Sequence, residues 1–342
     1  MEYAPKEYGG MQQNWKINQL SNGNIIVANG GSGVLEFDGI KWQHYDIPGS
    51  NFVRAIAIGE KDTIFVGSSG NIGYLCPDSV GKKYFVSLLP KIPEDDRVFV
   101  DVFDVILTPK NGVYFRTDDK IFRWYKDKVS VLKSDTNFSK MYQTGSKTWY
   151  RKSSRKFYLL EGDESTPFHF EGLDLESKRL SFFPGLDSTL YLIEDSSLLK
   201  YVFDEQGTPR LVNKNTEIVK SLEQFQYPII RQLTETMFIV GSHGQGAAII
   251  AENGTILHKF NERYDFRSDI IFDLFVDREN GLWLGLNDGI ARVDIASPYT
   301  IFSKTYGFKN SVYDITRLDG QIYIIDDKGL YNYTQTPESV TP

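Results

Sequence analysis

The sequence predicts an all-β fold, a β-propeller of four-stranded antiparallel blades, and two observations carry that prediction. A block of two β-like runs recurs eight times along the 342 residues, at a spacing of about 42 residues, within the ~40–50 expected of one blade. Aromatic residues make up 14% of the chain, including 20 Tyr and 23 Phe, and such side chains suit a pleated, half-buried surface. No segment shows a long amphipathic helical period, and the gaps between runs are too short for the crossover helices of a parallel sheet.

The first run of each block is an apolar or aromatic triplet: Ile25-Ile26-Val27, Ile64-Phe65-Val66, Val113-Tyr114-Phe115, Thr148-Trp149-Tyr150, Leu190-Tyr191-Leu192, Phe238-Ile239-Val240, Leu282-Trp283-Leu284 and Ile322-Tyr323-Ile324. The triplet reads as the second strand of a blade. Its central residue is aromatic in six of the eight copies, as packing between blades favours. An alternating segment precedes it, such as Trp15–Leu20 or Ile271–Val276, and reads as the first strand. Turns such as Ser21-Asn-Gly23 and Asp277-Arg-Glu-Asn-Gly281 join the two, because Gly, Asn and Asp tolerate the positive φ of tight hairpins. A third run follows the triplet, and a fourth closes the unit, as in Lys41–Tyr45 or Thr255–Lys259.

One such sheet cannot bury both faces, and radial stacking against neighbours solves this while keeping exposed edges short. The copies span approximately 14–48, 52–90, 101–135, 138–172, 179–215, 224–262, 269–304 and 311–335, within a single domain covering 1–342. Ring closure is open between two arrangements. Either Ala4–Tyr8 supplies a fourth strand to the eighth copy and closes eight blades, or seven copies close and the eighth stands apart. Thr334–Pro342 reads as a tail.

Thirty-eight basic against 45 acidic residues give a net charge of −7, which argues against direct nucleic-acid binding. Cys76 is the single cysteine, so an intramolecular disulfide and a cysteine-rich metal site are excluded. Met1–Tyr8 lacks the pattern of a signal peptide, and no run of about 18 apolar residues marks a membrane span.

In a propeller, the loops between second and third strands and the loops between blades open on one face, and loops held by a rigid scaffold are where function concentrates. The candidates on that face are Trp15, Asn29, Arg54, Asn71, Arg116, Arg151, His243, Gln245, Asn287 and Asp288, with Trp15 or Tyr227 suited to stacking on a sugar ring. His243 and Gln245 lie in the unusual loop Gly241-Ser-His-Gly-Gln-Gly246, whose glycines allow close approach to the backbone. Asp101, Asp104 and Asp273 fall in or beside first strands and read as solvated channel carboxylates. No pair of carboxylates stands out for glycosidase chemistry. The four histidines lack metal-ligand spacing. The glycine-rich Ala28–Gly33 is followed by a strand, whereas phosphate cradles need a helix N-terminus. No catalytic residue, metal or cofactor is expected.

The seventh copy, Asp277-Arg-Glu-Asn-Gly-Leu-Trp-Leu-Gly-Leu-Asn-Asp-Gly-Ile290, resembles the repeat of the two-component-regulator propeller, D-x-x-G-x-L-W-x-G-T-x-x-G-L. One turn residue is rearranged and Leu286 stands where Thr is usual. Gln13-Asn-Trp15, Gly33-Val-Leu-Glu-Phe-Asp-Gly39, Trp42, Val53-Arg54 and Gly73-Tyr74 are similar to the opening of such sensors, while copies three to five match only as generic blades. The resemblance implies a periplasmic ligand-sensing region of a bacterial membrane-bound regulator, not an enzyme. It implies an oligosaccharide ligand, a downstream sensor domain of the same regulator as partner, and homodimerisation through regions outside this chain. A propeller glycan hydrolase or lyase, and a protein-interaction scaffold that senses nothing, are the alternatives.

Overall fold

The computed structural model describes residues 1–295 and 311–333, apart from 32, 146, 175, 177–179, 188, 196, 205–206, 227 and 262–265. Tyr227 and the tail 334–342 therefore lie outside the described residues.

Each recurring block folds as one antiparallel sheet, and the triplet forms its second strand throughout. Blade 1 comprises Asn14–Gln19, Ile25–Asn29, Gly33–Phe37 and Trp42–Asp46. The first strands of blades 2 to 6 are Val53–Ile58, Asp104–Thr108, Phe138–Thr144, Leu180–Pro184 and Ile229–Thr234, each followed in order by three partners.

Blade 7 draws only three strands from its own copy, Ile271–Val276, Gly281–Leu286 and Ile290–Asp294, and takes Glu2–Tyr3 as its fourth. The N-terminus thus closes a ring of seven blades, with the first strand of blade 1 packed beside blade 7. Ala4–Tyr8 does not form the strand needed by an eight-bladed ring. Pro5–Tyr8 is a single helical turn with Pro at its start, and Gly9, at φ 68°, terminates it. The eighth copy is a separate three-stranded sheet, Val312–Leu318, Gln321–Asp326 and Gly329–Tyr333. Its first strand is exposed along its whole length.

The core lies between blades. Phe65 of blade 2 meets Trp124 of blade 3, and Trp149 of blade 4 meets Phe182 of blade 5. Trp283 of blade 7 packs with Tyr3 and with Phe37 of blade 1. The aromatic residue in the triplet thus spans the wedge to the next sheet.

Candidate functional site

The first strands of all seven blades surround a central cavity of about 860 Å³, within the ~300–1,000 Å³ of small-molecule sites. In blades 1, 2, 3, 6 and 7 it is lined from the beginning of the first strand, and in blades 4 and 5 along most or all of that strand.

The walls are shaped by backbone irregularity. In blades 1, 2, 4 and 7 the first strand carries a β-bulge near its start, at Trp15, Arg54, Ser139 and Phe272 respectively. A bulge removes one residue from the ladder and re-aims its side chain. All four residues line the cavity.

Around them sits a polar and aromatic ring. The Trp15 indole stacks on Phe272 at 4.1 Å, and the Arg54 guanidinium lies 4.1 Å from the same ring. At those distances the ring and the cation occupy opposite faces of the indole, so neither face is open to a stacked sugar. Arg54 also lies over Phe52 and Phe103, and its Nε donates to Asp101 at 2.9 Å. Its two terminal nitrogens make no hydrogen bond to the described residues. Trp15 Nε1 and Arg151 Nε are buried without a hydrogen-bond partner among the described residues.

The three channel carboxylates are paired rather than solvated: Asp104 and Asp273 are buried, and Asp101 is half-buried beside Arg54. Asp104 is 9% exposed and accepts from Arg116 Nε, Lys140 Nζ at 2.8 Å and the Met141 N–H at 3.1 Å. Burial pushes its pKa up, but the charges of Arg116 and Lys140 outweigh this and hold it well below the usual carboxylate range. Asp273 accepts from the Ile17 N–H at 2.9 Å and lies 3.1 Å from Lys16 Nζ and 3.4 Å from Arg231 Nη2. It therefore ties together blades 7, 1 and 6. Loss of hydration pulls the Lys16 pKa down, partly countered by Asp273. Burial raises the Tyr142 hydroxyl well above its usual value, and the nearby Asp104 charge adds to this.

Of the sequence candidates, Trp15, Arg54 and Arg116 line the cavity together. Arg151 stands between blades 4 and 5, where Nη1 donates to the Leu180 carbonyl at 3.4 Å. Asn29 is fully buried and bonds Met11, Asn14 and Gly31. Asn71 bridges Pro48 and Ser87. Gln245 accepts from the Gln226 N–H, and Asn287 from Gln13 Nε2. Asp288 pairs with Arg267 at 3.0 Å. His243 is exposed and packs edge-on against Phe272 at 5.6 Å, and partial desolvation lowers its pKa.

Sequence reasoning missed Lys16, Lys140, Tyr142, Arg231 and Phe272 as cavity residues. Their common signal is a position one to four residues past the first residue of a first strand. Among the described residues, no cluster of three or more His, Cys, Asp or Glu is placed to hold a metal ion, and no helix is long and apolar enough to cross a membrane.

No protein-family model matches the chain, and no curated protein matches it. Solved structures do. PorZ, a bacterial surface component of the type-IX secretion system of Porphyromonas gingivalis, aligns over 97% of this chain and 54% of its own, at 16% identity and TM-score 0.61. Virginiamycin B lyase from Staphylococcus aureus aligns over 85% of this chain and 97% of its own, at 12% identity and TM-score 0.60. The WD40 β-propeller domain of Doa1 aligns over 83% and 93%, at 13% identity and TM-score 0.57. At these identities the likeness is one of fold: the chain is a β-propeller.

Proposed function

We propose that this chain is the extracytoplasmic ligand-sensing propeller of a bacterial signal-transduction regulator, and that its ligand, a glycan fragment or molecule of similar size, enters the mouth of the central channel. The observation that carries this reading is the convergence of four bulged residues, Trp15, Arg54, Ser139 and Phe272, on one cavity. Bulges re-aim side chains beside functional sites, and regular strands would have sufficed to close the ring. The sequence resemblance of the seventh copy to regulator propellers supports the signalling role. Binding there would bias how the propeller packs against a downstream domain, by no more than the ligand's differential affinity for the two states.

The same geometry supports binding without turnover. Asp104 and Asp273 are each paired with two cations, and the charges of Arg116 and Lys140 hold the Asp104 carboxyl well below its ordinary range, whereas glycoside hydrolysis needs one carboxyl kept protonated as general acid.

Thermal unfolding against a panel of oligosaccharides and polysaccharide digests tests the reading. A ligand at 100 times its Kd stabilises the fold by about 2.7 kcal/mol. A selective rise with the oligosaccharide recovered intact supports the sensor. Recovery of cleaved sugar would favour the hydrolase or lyase reading. No rise across the panel counts against a glycan-sized ligand in the channel and moves the case to a protein-binding scaffold.

A further inference from the structure

The cavity has a sign. Its lining includes five cationic side chains, Lys16, Arg54, Arg116, Lys140 and Arg231, against two carboxylates, Asp104 and Asp273. Asp101, which pairs with Arg54, and Asp118, 4.0 Å from Arg116, bring the carboxylates to four. One positive charge is left over at the mouth of a molecule whose net charge is −7. Self-repulsion among clustered cations is costly in a partly desolvated site, and a low-dielectric cleft focuses the resulting field.

The cations also differ in how fully they are used. Arg116 is 4% exposed at its side chain and donates to Asp104 and to the Phe138 carbonyl, so it belongs to the ring. Lys140 has 51% of its side chain exposed. Lys16 and Arg231 share the single carboxylate of Asp273. Arg54 is fixed by Trp15, Phe52 and Phe103 and by one bond from Nε, which leaves its terminal nitrogens without a hydrogen bond to the described residues. A guanidinium locked in place with its donors unspent is preorganised for a planar anion.

We propose that the channel mouth selects an anionic ligand, a sugar-sized molecule bearing a carboxylate or sulfate group. Its charge is received by Arg54, Lys140 and Arg231, and its body lies against the apolar wall formed by Met141, Phe182 and Ile229. This deepens the sensor reading and rests on it.

The test compares digalacturonate, a sulfated disaccharide and neutral galactobiose on the full chain, by calorimetric titration and thermal unfolding at low and high salt. The expected result is binding of at least one acidic sugar, weakened about tenfold or more by added salt, with galactobiose bound at least tenfold more weakly. Comparison of the two acidic probes separates carboxylate from sulfate recognition. Lys140→Gln and Arg231→Gln should each weaken acidic-sugar binding about tenfold while unfolding near the wild-type temperature, since each leaves a second cation on its carboxylate partner. Should either variant fold poorly, the salt dependence of the wild-type chain carries the test alone. Equal binding of galactobiose, or acidic binding insensitive to both salt and the variants, overturns the anion preference and leaves the channel reading standing. If neither acidic nor neutral sugars bind, both readings fall.

Discussion

Asp277 shows how one carboxylate can account for a repeat motif. It is 6% exposed, and Oδ1 accepts the N–H groups of Glu279 and Gly281 at 3.0 and 2.6 Å. Oδ2 accepts Trp283 Nε1 at 2.8 Å, with Arg292 3.6 Å away. Asn280 takes the positive φ of 63° that the turn demands. The spacing from Asp to Gly to Trp is therefore a hydrogen-bonded clasp that fastens the hairpin and the interblade indole at once. Asp277→Ala should destabilise the fold by about 2–4 kcal/mol, because it strands a buried indole N–H and two turn donors; urea unfolding reads this. Asp104 makes a second prediction. Its folded pKa lies below the ~3.9 of an unfolded Asp, so its contribution is fully present above about pH 4 and is lost as pH falls toward the folded value. Asp104→Asn should lower stability at neutral pH by about 3 kcal/mol, since Arg116 is left buried without its main counter-ion. It should also flatten the acid limb of the stability-against-pH curve. The aromatic triplet centres were readable as packing residues because burial of large rings is what a propeller wedge requires. The clasp was not, since the sequence alone leaves open which atoms Asp277 reaches.

At the scale of the strand, the glycine two residues beyond the triplet centre has a specific task. In blades 2, 6 and 7 these are Gly67, Gly241 and Gly285, and a Cβ there would meet the next blade: Val102 at 2.4 Å, Ile271 at 2.8 Å and the Asn14 carbonyl at 2.3 Å. The glycine lets the following sheet approach closely, which explains its place in the seventh copy's Leu-Trp-Leu-Gly run. Gly285→Ala is expected to cost about 1–3 kcal/mol or more, because Asn14 meets the new methyl with backbone that cannot swing aside. A change within 0.5 kcal/mol in urea unfolding would contradict this. Strand order and strand type were legible from the triplets and turns. The bulges were not. Alternation along Asn14–Gln19 or Val53–Ile58 does not show that Trp15 or Arg54 drops out of the ladder, and a single dropped residue decides which side chains reach the channel. Hence Trp15, Arg54 and Arg116 were found by their nearness to loops on one face, while Lys140 and Arg231 passed as ordinary strand polarity.

For the molecule as a whole, seven blades close through two residues of the N-terminus. Glu2 and Tyr3 pair with Ala291 and Ile290, the Met1 amino group donates to the Arg292 carbonyl at 2.9 Å, and Tyr3 stacks over Trp283. Asn14 then reaches across the seam to Gly289. A two-residue strand has no periodicity to read, which is why the sequence left the ring size open, although Pro5 and Gly9 are the start and stop signals of a helical turn. Deleting residues 1–3 should uncover Trp283 and Phe37 and lower the unfolding midpoint clearly, whereas an eight-bladed closure would leave blade 7 indifferent to it. The central claim, that the channel mouth is where this propeller receives its ligand, is tested most directly by hydrogen–deuterium exchange of the full chain with and without digalacturonate, the sulfated disaccharide and galactobiose. The account predicts protection concentrated in the strand starts around Trp15, Arg54, Phe103, Ser139 and Phe272. Protection confined to the outer strands or to the eighth sheet, or none with any of the three sugars, would contradict it.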